Sequence, residues 1–155
     1  MKLYLIRHAK TERESVSGRD FDRKLLARGK RQAADLSNYL KIQGIAFEKV
    51  ICSSAERTKE TLDLLDLGAK VEFLNELYLC SLQEMLKIIN AQSIEGNLIL
   101  IGHNNGISDL AGYLCGELIH MKTCELAILE FNGDKWSELS GDSAKLISSF
   151  RSSTD

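Results

Sequence analysis

The 155-residue chain contains no proline, and no function attaches to that absence. It also lacks any apolar run long enough to cross a bilayer, which argues against a membrane-spanning helix. The opening, MKLYLIRHAK, does not read as a signal peptide, because its apolar stretch is only Leu3 to Ile6 and charge follows at once. No paired cysteine motif is present. Cys52, Cys80, Cys115 and Cys124 lie far apart, which argues against a zinc site or redox dithiol and for reduced thiols in the cytosol. Neither charge is in surplus: 20 basic and 22 acidic residues give a net −2, so neither nucleic acid nor a membrane surface is expected as partner. With no internal repeat or low-complexity linker, one cytoplasmic domain over residues 1–155 is the expectation.

What is present is globular in composition: 44% of residues are hydrophobic and 27% charged. A chain of this length can bury a core without a metal or disulfide staple. Short apolar runs at Leu3-Tyr4-Leu5-Ile6, Val50-Ile51 and Leu98-Ile99-Leu100-Ile101 read as buried strands, with Val71 to Leu74 a further one. Between them, Ala33, Leu36 and Leu40 share a helix face that Gly44 is placed to end. Leu62 with Leu65 marks a second helix, Leu82, Met85, Leu86 and Ile89 a third, and Ile107, Leu110, Ala111 and Leu114 a fourth. Glu125 to Phe131 and Lys135 to Leu139 flank Asn132-Gly133-Asp134, which predicts a closing hairpin. The pattern predicts an α/β fold: a three-layer α/β/α sandwich with a mostly parallel sheet and an antiparallel edge.

In such sheets the chemistry sits beyond the carboxyl ends of the strands. There the first strand runs into Arg7-His8, the second into Ser53-Ser54-Ala55-Glu56-Arg57-Thr58, and the fourth into Gly102-His103-Asn104-Asn105. If these strands are neighbours, two arginines and two histidines share one rim. Guanidinium forks suit tetrahedral oxyanions, above all phosphate, and residues 102–106 add a helix start. A neutral imidazole can attack phosphorus, and a second one, if it is protonated, can bind the oxygens that gather charge. His120, the third histidine, has no partner and reads as a surface residue. A metal site is disfavoured, because two arginines would repel a cation and no helical pair of histidines or carboxylate cluster accompanies them. No cofactor is implied.

At these residues the chain resembles the histidine phosphatase superfamily, the phosphoglycerate mutase-like group. The first signature reads Leu5-Ile6-Arg7-His8-Ala9-Lys10-Thr11, with Ala9 where glycine is commoner. The second is Ser53-Ser54-Ala55-Glu56-Arg57-Thr58-Lys59-Glu60-Thr61 and the third Gly102-His103-Asn104. The resemblance implies a metal-independent phosphatase in which His8 is the nucleophile that carries the phosphoryl group. Arg7 and Arg57 would hold the phosphoryl oxygens, and His103 would donate to them. Thr11 would be a further contact or a turn residue, and Glu56 and Glu60 would face solvent.

Within that group the chain looks most like the short SixA type, the protein phosphohistidine phosphatases. Its length leaves no room for the insertions that cap the mutases. Asp20-Phe21-Asp22-Arg23-Lys24-Leu25-Leu26-Ala27-Arg28-Gly29 resembles a subgroup motif, with Lys24 where proline is usual. Leu77-Tyr78-Leu79-Cys80-Ser81 resembles another, with Cys80 for alanine. Three functions follow: hydrolysis of phosphohistidine on a protein, hydrolysis of a small phosphorylated substrate with Glu76 as general acid, or phosphate binding without turnover. The leaving group separates the first two. An alkoxide needs an acid, whereas imidazole, with a conjugate-acid pKa of about 6.5, does not.

Overall fold

The structure, a computed structural model of the chain, describes residues 1–154. Six strands form one sheet, β1 (Lys2–Arg7), β2 (Lys49–Ser53), β3 (Lys70–Leu74), β4 (Leu98–Gly102), β5 (Leu126–Phe131) and β6 (Ala144–Phe150). Four helices accompany them, α1 (Ala27–Gln43), α2 (Glu56–Leu65), α3 (Leu82–Asn90) and α4 (Gly106–Cys115). The strand order is β3-β2-β4-β1-β5-β6. The four strands from β3 to β1 are parallel, and β5 runs antiparallel to both β1 and β6.

Alternation along the central strands builds two cores. Leu3, Leu5, Ile51, Leu98 and Leu100 face α3 and α4, where Met85, Ile89, Leu110 and Leu114 meet them. Tyr4, Ile6, Val50, Ile99 and Ile101 point the other way, onto Ala33, Leu36, Leu40, Leu62 and Leu65 of α1 and α2. Strands covered on both faces need no polar side, which is why they read as unbroken apolar runs. The α/β/α sandwich is therefore the architecture. Gly44 ends α1 in a left-handed conformation (φ 62°) that a glycine adopts without strain. A capping box of Ser81 and Glu84 starts α3.

The closing hairpin differs from expectation. Its second arm is β6, not Lys135 to Leu139, and Trp136–Glu138 instead forms a 3-10 turn. The cause is Trp136, whose indole is fully buried in the α3/α4 core. Asn90 Nδ2 of α3 donates to the carbonyls of Trp136 (2.7 Å) and Leu139 (3.0 Å) and holds the turn there. Burying so large an aromatic outweighs the local preference of an Asn-Gly turn.

Candidate active site

The strands β1, β4 and β2 are neighbours with level tips, since Arg7 pairs with Gly102 and Ile101 with Cys52. The residues that follow are thereby gathered. The His8 N–H donates to the Gly102 carbonyl (3.1 Å), which carries the β1 ladder one residue past its end. The Ala9 N–H donates to Thr61 Oγ1 of α2 (3.0 Å) and the Lys10 N–H to Gln32 Oε1 of α1 (3.0 Å), so both helices fix the turn. Gly29 makes this approach possible, because a Cβ there would stand 2.1 Å from the Lys10 carbonyl oxygen. Arg57 lies in the first turn of α2, and His103 follows β4 directly. Together they line a cavity of ≈ 310 Å³ with Arg7, Lys10, Thr11, Asp20 and Arg23.

His8 is 7% exposed, and its Nδ1 lies 2.8 Å from the Ala9 carbonyl oxygen. A carbonyl only accepts, so Nδ1 carries the hydrogen and the Nε2 lone pair stays free. Burial, reinforced by His103, Arg57 and Arg7, pushes the His8 pKa down to about 3, with the Ala9 hydrogen bond opposing. Burial likewise brings His103 to about 3, helped by Arg57 and Arg7 and opposed by Asp20. Both imidazoles are therefore neutral near pH 7, so His103 would donate as a neutral ring. The two ring centroids are 5.3 Å apart. Ser53 Oγ accepts from the Ala55 N–H (3.3 Å) and lies 2.7 Å from His103 Nε2. With the Ser53 hydroxyl assigned as donor to Nε2, the His103 hydrogen sits on Nδ1.

Among the described residues, the buried side-chain nitrogens without a partner are Arg7 Nε, Arg57 Nε, His103 Nδ1 and Trp136 Nε1. Three of these four belong to the cavity lining. Unpaired buried donors are rare, and a tetrahedral oxyanion is the kind of acceptor that guanidinium and imidazole nitrogens suit. The remaining Arg7 and Arg57 donors are partly used. Arg7 Nη1 donates to the Met121 carbonyl (3.0 Å), while Arg57 Nη1 and Nη2 donate to the Asp20 carbonyl (2.8 Å) and Oδ2 (3.1 Å).

Asp20 and Tyr78 take part in a way their motifs did not reveal. The Tyr78 hydroxyl donates to Asp20 Oδ2 and Arg23 Nη1 to Oδ1. The Tyr78 hydrogen bond, then Arg57 and Arg23, hold the Asp20 carboxyl down at about 2, with burial opposing. A sequence signal existed in the i,i+3 spacing of Asp20 and Arg23, but the partner Arg57 lies 37 residues away. Thr11 is buried, lines the cavity and accepts from Arg23 Nη2. Glu60 is half-buried and not simply solvent-facing: its Oε2 accepts from the Leu25 N–H (2.6 Å) and ties α2 to the segment before α1. Glu76 is not among the cavity-lining residues; it borders a separate groove with Glu84, Lys87 and Ile88. His120 is exposed. Among the described residues no three His, Cys, Asp or Glu side chains cluster as a metal site. No helix among them is long and apolar enough to cross a membrane.

A family model described as histidine phosphatase superfamily (branch 1) matches residues 3–85. An uncharacterised chloroplastic protein of Arabidopsis thaliana is 30% identical over 152 residues, covering 88% of this chain and 69% of its own. A structure named as a candidate phosphohistidine phosphatase SixA, from Nakamurella multipartitia, superposes with a TM-score of 0.89 at 27% identity, covering 98% of this chain and 96% of that one. A protein histidine phosphatase SixA solved with tungstate has the same fold, with a TM-score of 0.81 at 22% identity and 97% coverage of both chains.

Proposed function

The chain belongs to the histidine phosphatase superfamily, and from that premise we propose that it hydrolyses phosphohistidine displayed on another protein. The observation that carries the reading is the free Nε2 of a neutral, buried His8 between two guanidiniums. Nε2 attacks phosphorus while Arg7 and Arg57 hold the phosphoryl oxygens and His103 Nδ1–H donates to one of them. The substrate P–N bond breaks and its electron pair returns to the leaving imidazole. His8 now carries phosphate on Nε2 and keeps its Nδ1 hydrogen, which the Ala9 carbonyl continues to accept. That contact stabilises the cationic ring, so His8 leaves as a neutral imidazole when water attacks phosphorus and gives dihydrogen phosphate.

The position of Glu76 supports phosphohistidine over an alcohol ester. The ester reading needs an acid at the leaving oxygen, and Glu76 borders a different groove. An imidazole leaving group removes that need when the far ring nitrogen carries a proton, because the ring then departs neutral. No step calls for a metal. The test is purified protein, with chelator, on a phosphohistidine-bearing protein and an alkyl phosphomonoester, beside His8→Ala. Release from phosphohistidine alone, lost in the variant, is expected. Alkyl ester turnover that depends on Glu76 overturns the substrate, and full activity in His8→Ala overturns the mechanism.

A further inference from the structure

The cavity contains one feature that phosphate binding does not explain. Among its described lining residues Asp20 is the sole carboxylate, set beside Arg7, Lys10, Arg23 and Arg57. A carboxylate weakens a site for a dianion. Holding Arg57 in place is one role, but the group has capacity beyond that. Oδ2 accepts from Arg57 Nη2 and Tyr78, and Oδ1 from Arg23 Nη1 alone. Two carboxylate oxygens offer about four acceptor positions, so one on Oδ1 is open. The side chain is also 43% exposed, at the mouth, whereas His8 lies 7% exposed at the floor. In-line displacement by a nucleophile at the buried end of the cavity sends the leaving group toward its open end, and Asp20 is the exposed carboxylate of the lining.

We propose that Asp20 is a further catalytic residue that accepts a hydrogen bond from the far ring N–H of the substrate phosphohistidine. This rests on the phosphohistidine reading above and names how that substrate is chosen. With the far nitrogen protonated, the ring is an imidazolium that leaves as neutral imidazole when the P–N electron pair returns to it. No proton has to reach the breaking bond. In a cavity so rich in cations this ring would be repelled, and the carboxylate offsets the repulsion. Asp20 does for the substrate ring what the Ala9 carbonyl does for His8. The charged and titratable groups facing Asp20 are Arg57 from α2, Tyr78 from the segment before α3 and Arg23 from its own segment. Arg7, Lys10, His8 and His103 complete the cavity.

The test compares N-phosphoimidazole, its N-methyl derivative (cationic at every pH, with no N–H to donate) and 4-nitrophenyl phosphate. All three need His8 and the arginines. Asp20→Asn should lower kcat on phosphoimidazole by about 10- to 100-fold, the size of a charge-assisted hydrogen bond. 4-Nitrophenyl phosphate, whose leaving group carries no positive charge, should fall much less, and the N-methyl derivative, which loses the charge offset but has no hydrogen bond to lose, should fall by an intermediate factor. The wild type should hold its phosphoimidazole kcat above the pH at which the free substrate loses its ring proton, and the variant should not. Equal losses on all three substrates would make Asp20 a holder of Arg57 and overturn the assignment. Should the variant fail to fold, the wild-type pH profile decides: a fall at the free substrate's own titration overturns it too. Absence of wild-type turnover on phosphoimidazole and phosphohistidine protein, with the aryl ester still cleaved, would sink the phosphohistidine reading itself.

Discussion

The middles and the tips of β1, β2 and β4 are a few residues apart and equally deep, yet they bury opposite kinds of groups. In the middles Leu5, Ile51, Ile99 and Leu100 are fully enclosed by apolar neighbours. At the tips His8, Ser53 and His103 are just as enclosed, with Arg57 at 3% exposure beside them. The middles drive folding, since apolar burial is its dominant favourable term. The tips oppose it: an unpaired buried donor costs about 1–3 kcal/mol, and three nitrogens there lack partners. The contrast teaches that the polar tips cost stability, as the anion site proposed above would, and that the strand middles sustain them.

Two truncations break the comparison most directly. His8→Ala should reduce turnover at least about a thousandfold, as loss of a nucleophile does, with the melting temperature unchanged or raised. Leu100→Ala should do the reverse, losing about 2–5 kcal/mol of stability to the cavity while folded molecules keep their kcat. Calorimetry beside the phosphohistidine assay reads both; a melting point that collapses in His8→Ala would refute the division.

A smaller effect is expected from Arg57→Lys. The ammonium cannot reproduce the guanidinium fork that meets Asp20 twice, so tungstate or phosphate affinity should weaken about tenfold in calorimetric titration. Unchanged affinity would show that Arg57 does not hold the anion.

The smallest effect is on pH dependence. An unfolded histidine titrates near about 6.5, whereas folded His8 and His103 stay neutral down to about 3. Between those values the unfolded chain binds more protons, so stability rises with pH across that window and falls on acidification. Asp20, depressed to about 2, contributes stability that is lost only as pH falls from the ordinary carboxylate range toward that value. His8→Gln should flatten the rise between pH about 3 and 6.5 in denaturant titrations. An unaltered slope would mean that His8 is not held neutral.

Legibility in the sequence followed the range of the forces involved. The strands announced themselves because a sheet covered on both faces admits only apolar residues, and Gly44 because a left-handed helix end favours glycine. The polar residues at the strand ends were visible for the same local reason. Where a distant group decides, the sequence was silent or misleading. Glu60 looked solvent-facing until Leu25 met it, and Lys135 to Leu139 looked like a strand until Trp136 found the α3/α4 core. Glu76 sat close to the second signature in the chain but borders another groove.

The sequence by itself determined the α/β class and the central strands, and it set Arg7, His8, Arg57 and His103 at or just beyond strand ends, because periodicity and short motifs are written in neighbouring residues. Only the tertiary structure decided that β4 lies between β1 and β2, and so that the two histidines stand 5.3 Å apart. It also decided that burial keeps both neutral, that the Ala9 carbonyl frees Nε2 of His8, and that Asp20 stands among the cations at the mouth. Protonation and hydrogen-bond direction depend on what surrounds a group in space, and that information is absent from any local stretch of the chain.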